Sequence, residues 1–287
     1  HRTEFRQPFE TQLFPGVRFA PFPAARPGTG QEQEGDDGAA ALAAVERELA
    51  AAESSPYPIG AVLVEPIQGR GGIRVPPPGF LAGLRALCDG RRTLFVLDEV
   101  YTGFGRTGRW FACEHEGVVP DVLVVGKALA GAVPLAAAIG TPDAMAGWPP
   151  STGEAIHTST FMGNPVACAA ALAHLAEIEE QDLVARAAAL GRWLRERLDT
   201  WPARFPAVAE VRGLGLLQGA ELVEDRTTRR PATALAARIA GEALRRGVLV
   251  LTEGPHANVL AFTPPLTIEE HQLDHALDTL EALLAAG

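Results

Sequence analysis

The chain has 287 residues, 47% of them apolar and 21% charged, and a formal net charge of −10 at pH 7. This composition is that of a globular protein, and the length allows one large or two ordinary domains, each with its own core. The acidic charge argues against a general nucleic-acid-binding protein, which needs a basic face. The longest uncharged apolar stretch near the middle, 128–142, falls short of the roughly 20 residues that span a membrane.

Apolar runs alternate with helical patterns over the first part of the chain. In chain order they predict a helix over 39–53, a strand over 59–65, a helix over 80–88, and strands over 93–98, 121–125 and 134–139. Strands that are apolar on both faces and alternate with helices indicate an α/β domain with a mainly parallel sheet flanked by helices. In such sheets, ligands gather at the carboxyl ends of the strands.

A second, smaller unit is predicted after residue 164. Asn164 suits a helix cap and Pro165 the first turn of an alanine-rich helix, which should break near Gln181 and Asp182. The later patterns predict a strand-like stretch over 208–222, a helix over 233–246, strands over 248–251 and 259–262, and a helix over 268–286. We therefore assign 1–170 to the larger domain, and 171–287 to a linking helix and a small α+β domain.

Lys127 is the only lysine among 25 lysine and arginine residues. Arginine can replace lysine at most surface sites, because both supply a positive charge. It cannot replace a lysine whose deprotonated amine attacks a carbonyl, because guanidinium keeps its proton in proteins. The pattern therefore favours a chemical role for Lys127 over the chance survival of one surface lysine.

Glu65, Asp98 and Lys127 each lie at or just after the carboxyl end of a predicted strand. A strand that ends in two acids, as at Asp98 and Glu99, occurs as a simple strand end, in P-loop NTPases and in enzymes of pyridoxal phosphate. The NTPase motif G-x-x-x-x-G-K-[ST] is absent from this sequence. In enzymes of pyridoxal phosphate, the aspartate pairs with the ring nitrogen of the cofactor, and the cofactor ring then accepts the electrons of a carbanion.

The apolar residues around Lys127 predict a dry site, which would leave more free amine for a Schiff base. Together, Asp98 and the lone lysine indicate an electron-sink and Schiff-base pair more strongly than either does alone.

Three segments carry a resemblance to a known family: DEVYTGFGRTG (98–108), PDVLVVGKAL (120–129) and HTSTFMGNP (157–165). They resemble the signature of the class III aminotransferases, which are fold type I enzymes dependent on pyridoxal phosphate. EPIQG (65–69) and TPPLTI (263–268) also match the family pattern. The similarity covers essentially the whole chain, in order and with gaps typical of the family. It implies transfer of an amino group from an amino acid or amine to a 2-oxo acid.

The resemblance also implies roles for individual residues. Asp98 should pair with the pyridine nitrogen, and Lys127 should hold the cofactor as a Schiff base and shuttle protons. Tyr101 falls where many relatives place a side chain near the ring hydroxyl of the cofactor, and Glu65 matches an acid near the substrate. Thr160 should donate to the cofactor phosphate of the neighbouring subunit, which makes the active unit a homodimer. Without the family, Thr160 would be interpreted as a hydroxyl bound to a turn amide.

The sequence departs from the family pattern in two places. Many relatives have an arginine just before the Pro-Pro-Leu stretch, where it holds a substrate carboxylate as a fork, but this chain has Ala261. The family's Gly/Ser-rich phosphate turn and its stacking aromatic residue are also missing before Lys127. The segment LFPG (13–16) resembles family sequence that normally follows those elements. We therefore expect the chain to be truncated at its N-terminus.

Other functions stay open at this point. The same scaffold supports aminomutases, racemases and a decarboxylase, and a non-catalytic fragment is a further alternative. Metal binding is not expected: His271 and His275 are four residues apart, but a solvent-facing position on the last helix is favoured. The three cysteines have no metal or redox spacing, which fits a reducing cytoplasm.

Overall fold

The first sheet of the computed structural model, which describes residues 6–23, 36–148, 150–153 and 157–286, has four strands. They are β1 (Ala61–Val64), β2 (Leu94–Asp98), β3 (Val122–Val125) and β4 (Ala137–Gly140), in that spatial order. β1, β2 and β3 are parallel, and β4 runs antiparallel to β3. The prediction of an α/β domain with a mainly parallel sheet is thereby confirmed.

Two helices cover one face of this sheet. Residues at helical spacing on α1 (Asp36–Ala52) and α2 (Phe80–Arg91) pack on alternate residues of β1 and β2, which include Val62, Phe95 and Leu97. The opposite face is open within the described chain: Leu63 on the edge strand β1 is 66% exposed. Although β1 is apolar on both faces, the described helices therefore cover only one side of it.

The connecting region matches the predicted broken helix. α3 (Pro142–Ala146) follows β4, and α4 (Pro165–Glu180) begins at the predicted cap, where the Asn164 side chain accepts hydrogen bonds from the amides of the first turn. The chain then breaks at Asp182, which has a φ of 49°, and continues as α5 (Leu183–Asp199). The short helix α6 (Trp201–Arg204) comes directly after it.

The second sheet is antiparallel. Its strands are β5 (Val208–Leu214), β6 (Leu217–Asp225), β7 (Arg230–Pro231), β8 (Leu251–Glu253) and β9 (Val259–Phe262), with the order β5-β6-β9-β8 and with β7 on β6. The single stretch predicted over 208–222 is therefore a hairpin. Its turn holds Gly215 at a φ of 54°, against the Thr107 backbone, where a Cβ would come within 2.4 Å. β8 also lies later than the predicted 248–251, although its neighbour β9 is where it was expected.

Helices α7 (Thr233–Arg245) and α8 (Glu270–Ala285) pack on this sheet and form its core together with α5. Trp201, Leu194 and Leu222 are fully buried there. The two sheets take their strands from either side of residue 170, whereas the domain boundary itself stays a prediction. None of the described helices combines the length and apolarity needed to cross a lipid bilayer.

Candidate active site

The carboxyl ends of the first three strands bring the predicted site residues to one edge of the first sheet. Glu65 directly follows β1, Asp98 is the last residue of β2, and Lys127 comes two residues after β3. Because these strands are parallel neighbours, their ends lie side by side. Asp98 aligns with Val124, and alternation along β1 places Glu65 on the same open face as Asp98.

Lys127 begins a short 3-10 turn, Lys127–Leu129, with a φ of 41°. This left-handed conformation is uncommon for a residue with a side chain, and such strain is concentrated at functional sites. The Nζ atom lies 4.7 Å from the centroid of the Tyr101 ring. The side chain is exposed, so the prediction of a dry site is wrong for this structure. Lys127 follows the sheet edge on its open face, where the apolar residues of β3 do not enclose the amine.

Tyr101 lies between Lys127 and the loop that follows β1. A Cβ atom at Gly69 would come within 2.0 Å of the Tyr101 ring, so the residue at position 69 has to be glycine for the ring to lie there. Gly69 also donates its backbone N–H to Glu65 Oε2 at 3.2 Å. The loop after β1 therefore holds both the ring and one carboxylate of the site. The glycines in QGRGG (68–72) are the sequence signal for this loop, and only Gly69 among them lies in a segment that matches the family pattern.

Asp98 and Glu99 are adjacent acids with different surroundings. Asp98 is half-buried, and its Oδ1 accepts one hydrogen bond, from the Val100 amide at 3.0 Å. Glu99 is fully buried and accepts three hydrogen bonds, from the Thr102 hydroxyl and from the amides of residues 112 and 113, at 2.7–2.8 Å. The buried Glu99 carboxylate therefore holds the loop after β2 in place. The Asp98 carboxylate has a single described hydrogen bond and can accept others at the candidate site.

Glu65 has a raised pKa, first because burial disfavours its charged form. Repulsion from Asp98 raises it further, while the Gly69 amide and the positive charge of Lys127 lower it. The two carboxyls and the amine are therefore close enough to influence one another's charge.

This shift leads to a pH-dependent stability. Folded Glu65 keeps its proton to a higher pH than the unfolded chain does, so its contribution is fully present below the ordinary carboxyl pKa and is lost as pH rises through the raised one. We expect the free energy of unfolding of the wild type, measured with urea, to fall relative to that of Glu65→Gln between pH 4 and pH 7. Glutamine keeps an acceptor for the Gly69 amide. A constant difference over this range would contradict the shift.

Thr160 is exposed in the turn before α4, and no described hydrogen bond links it to the strand-end residues. The Asn164 side chain, four residues further on, accepts hydrogen bonds from the amides of Val166 and Ala167 in the first turn of α4. Exposed apolar side chains follow Thr160 in the sequence: Phe161, Met162, Val166 and Leu172 are each 56–74% exposed.

Ala261 is 5% exposed and lies in an apolar cluster with Ile67, Ile73 and Leu217, against which Tyr101 packs. The position of the expected arginine is therefore next to the site and is filled by apolar groups. His271 and His275 are both exposed on α8, as the sequence favoured.

The groups at this edge fit pyridoxal phosphate in their chemistry. Lys127 offers the amine that its aldehyde needs, Asp98 offers a carboxylate for the protonated ring nitrogen, and Tyr101 offers an aromatic ring beside the amine. Lys127, Asp98 and Tyr101 are the residues that would hold the ring.

Comparison with known proteins agrees with this chemistry. The model of the family "Aminotransferase class-III" matches residues 1–284. A leucine/methionine racemase of Thermococcus litoralis is 42% identical over 79% of this chain and 50% of its own length. A 4-aminobutyrate aminotransferase of Mycobacterium leprae is 40% identical over 86% of this chain and 53% of its own length.

Solved structures give the same result. An amine transaminase from an uncultivated Pseudomonas species, in its pyridoxal-phosphate-bound form, has a TM-score of 0.85 and 36% identity, over 96% of this chain and 63% of that one. The chain spans about half the length of the curated relatives that it matches. With the family model matching nearly every residue, the chain belongs to the class III aminotransferases.

Proposed function

We propose that this protein is a pyridoxal-phosphate-dependent aminotransferase that moves an amino group from an amino acid or amine to a 2-oxo acid. The observation that carries the proposal is the place of the only lysine. Its Nζ lies over the Tyr101 ring, at the strand edge that also carries Asp98.

When bound, the cofactor supplies a carbonyl for amines and an electron sink for the bond that breaks at the substrate carbon. Lys127 would hold the cofactor through its ε-amine, and the amine, once freed, would act as the base that takes the proton from the substrate α-carbon and delivers it to the C4′ carbon of the cofactor. Asp98 keeps the proton on the ring nitrogen by its negative charge. Tyr101 restrains the ring hydroxyl from beside Lys127.

Glu65 and Ala261 bear on the substrate. Glu65 is the acid on the open face beside Asp98, and its raised pKa reflects a partly buried place from which it can contact a substrate amine or an arginine. Ala261 and its apolar neighbours provide no fork for a carboxylate. Donors without a carboxylate at that position are therefore compatible with this site.

Product analysis tests the proposal. The purified protein, supplied with pyridoxal phosphate, is incubated with 2-oxoglutarate and a panel of amino acids and amines, and glutamate is measured by mass spectrometry. Glutamate formation with at least one donor, dependent on both substrates, supports amino transfer. Absence of glutamate with every donor, together with a product formed from a donor alone, would reject it.

Racemisation is the second candidate, because the Thermococcus racemase is as similar to this chain as the aminotransferases are. A racemase returns the proton to the same α-carbon, on the opposite face. L-leucine incubated in deuterium oxide without an oxo acid would then yield deuterated D-leucine. An aminomutase or a decarboxylase would instead give a rearranged or decarboxylated product from the donor alone.

We further propose that the protein works as a homodimer in which Thr160 donates to the cofactor phosphate of the neighbouring subunit. The exposed turn and the apolar residues that follow it support this arrangement. Loss of one hydrogen bond to a charged phosphate is expected to weaken cofactor binding of Thr160→Ala by about tenfold.

Subunit mixing separates this role from one within a single subunit. Subunits that carry Thr160→Ala alone are mixed in equal amounts with subunits that carry Lys127→Ala alone, under conditions in which the dimers exchange subunits. A mixed dimer then holds one site with an intact Lys127 and with Thr160 from the other subunit, so about a quarter of all sites should regain wild-type cofactor affinity. No gain over the separate variants would place Thr160 in its own subunit's site or outside the site.

A further inference from the structure

The loop after β1 ends in a closed turn with an unusual backbone. Gln68 and Arg74 close it by exchanging two backbone hydrogen bonds of 3.0 Å, and the amides of Gly72 and Ile73 both donate to the Gly69 carbonyl. Ile73 is fully buried and has a φ of 54°. A β-branched residue in this region is strained, so contacts from outside the turn have to hold it in place.

Arg212 on β5 supplies such contacts. Its Nε and Nη2 donate to the Gly72 carbonyl at 2.9 and 2.7 Å, and Nε also donates to the Ile73 carbonyl at 3.1 Å. The other side of the guanidinium pairs with Glu221 at 2.6 Å and with Glu210 at 3.3 Å. The side chain is only 14% exposed. The guanidinium therefore joins the second sheet to the turn through several of its fixed donors.

The turn also meets the second sheet on another side. The Gly254 amide, directly after β8, donates to the Arg70 carbonyl at 3.2 Å. A Cβ atom at Gly72 would lie 3.2 Å from the Gly254 Cα, so the two backbones pass closely. The turn is thus held between β5 and the end of β8, and a shift of the second sheet would carry it along.

The same turn borders the candidate active site. Its first residue, Gly69, donates to Glu65 and lies directly against the Tyr101 ring, which in turn lies 4.7 Å from Lys127 Nζ. A continuous set of contacts therefore runs from Arg212 to the reactive amine. We infer that Arg212 is a positioning residue: it fixes the turn from Gly69 to Arg74 against the second sheet, and so sets Glu65 and Tyr101 beside Lys127. Its catalytic consequence rests on the proposed function.

The chain contains a matched control for this inference. Arg229 pairs with the same two acids, Glu210 and Glu221, each at 3.4 Å, but has no described contact with the turn. Arg229→Met therefore removes a cation from the ion-pair group without removing the bonds to the turn carbonyls. Arg212→Met removes both the cation and the hydrogen bonds to the turn carbonyls. Arg212→Lys keeps a positively charged donor but lacks the paired N–H groups of the guanidinium.

The test compares these variants in the purified protein by two readouts. Amide hydrogen exchange over residues 67–75, without substrate, reports the turn directly. Borohydride trapping of pyridoxal phosphate on Lys127 reports the placement of the amine and its neighbours. We expect exchange in this segment to rise at least about tenfold in Arg212→Met and little in Arg229→Met. The trapping rate and kcat/KM should fall by about ten- to a hundredfold in Arg212→Met, with Arg212→Lys between it and the wild type.

The outcomes are distinct. Equal exchange in Arg212→Met and Arg229→Met would overturn the inference, since Arg212 would then only stabilise the second sheet. Faster exchange with unchanged trapping at Lys127 would overturn the positioning role. If pyridoxal phosphate is not trapped on Lys127 of the wild type at all, the proposed function fails. The hydrogen-exchange measurement still decides whether Arg212 holds the turn.

Discussion

Replacing Lys127 with alanine should abolish covalent trapping of pyridoxal phosphate and lower the rate of amino transfer by about 10⁴-fold or more, because the amine is both the point of attachment and the base. The measurement is unusually clean in this protein. Lys127 carries the only ε-amine of the chain, so no other lysine can take up the label. After borohydride reduction, the peptide that contains residue 127 should be the labelled one in the wild type, apart from any label on the N-terminal amine.

Two further variants separate chemistry from charge. Lys127→Arg keeps the positive charge beside Tyr101 but has no amine that loses its proton, and should be as inactive as the alanine variant. Methylamine added to Lys127→Ala should restore part of the proton-transfer rate, because a small free amine can enter the space that is left. Wild-type activity of Lys127→Arg, or of Lys127→Ala without added amine, would show that another group holds the cofactor, as would a wild type that is labelled elsewhere but not at residue 127.

The sequence predicted the site's place in the fold because its signals are local. Glu65, Asp98 and Lys127 each end or follow a run of apolar residues, and the helix between the first two runs indicates that those two strands are parallel. The helix cap at Asn164 and the break at Asp182 were predictable for the same reason.

The remaining features depend on contacts between distant parts of the chain. The apolar neighbours of Lys127 suggested a dry site, but enclosure depends on which elements cover the strand ends, and the amine is exposed. The stretch 208–222 has the composition of one strand, and its division depends on how Gly215 packs against Thr107. Arg212 and Gly72 are 140 residues apart, so no periodicity could show their contact.

Asp98 and Glu99 show this limit in two adjacent residues. Alternation along a strand requires the two side chains to face opposite ways. It does not say which of them faces the helices, because that depends on how α1 and α2 pack. The structure buries Glu99 and leaves Asp98 half-buried on the open face beside Glu65.

Asp98→Asn should therefore lower activity with little effect on stability, whereas Glu99→Gln should lower stability with little effect on activity. Asp98→Asn keeps an acceptor for the Val100 amide but removes the charge that holds the proton on the ring nitrogen. We expect kcat/KM to fall by about 10²–10³-fold, and the free energy of unfolding to change by less than about 1 kcal/mol. It should also lower the pKa of Glu65, since Asp98 is one of the groups that raise it.

Glu99→Gln should instead destabilise the fold. Both carboxylate oxygens accept hydrogen bonds, from the Cys113 amide on one side and from Thr102 and the Ala112 amide on the other. A glutamine amide turns one oxygen into a donor that faces another donor, at a cost of about 2–4 kcal/mol in this buried place. The folded fraction should keep activity near that of the wild type. Urea unfolding and steady-state kinetics on both variants measure the two effects. The reverse result would make Glu99 the acid that serves the cofactor, since loss of activity without loss of stability identifies the carboxylate that acts in the reaction.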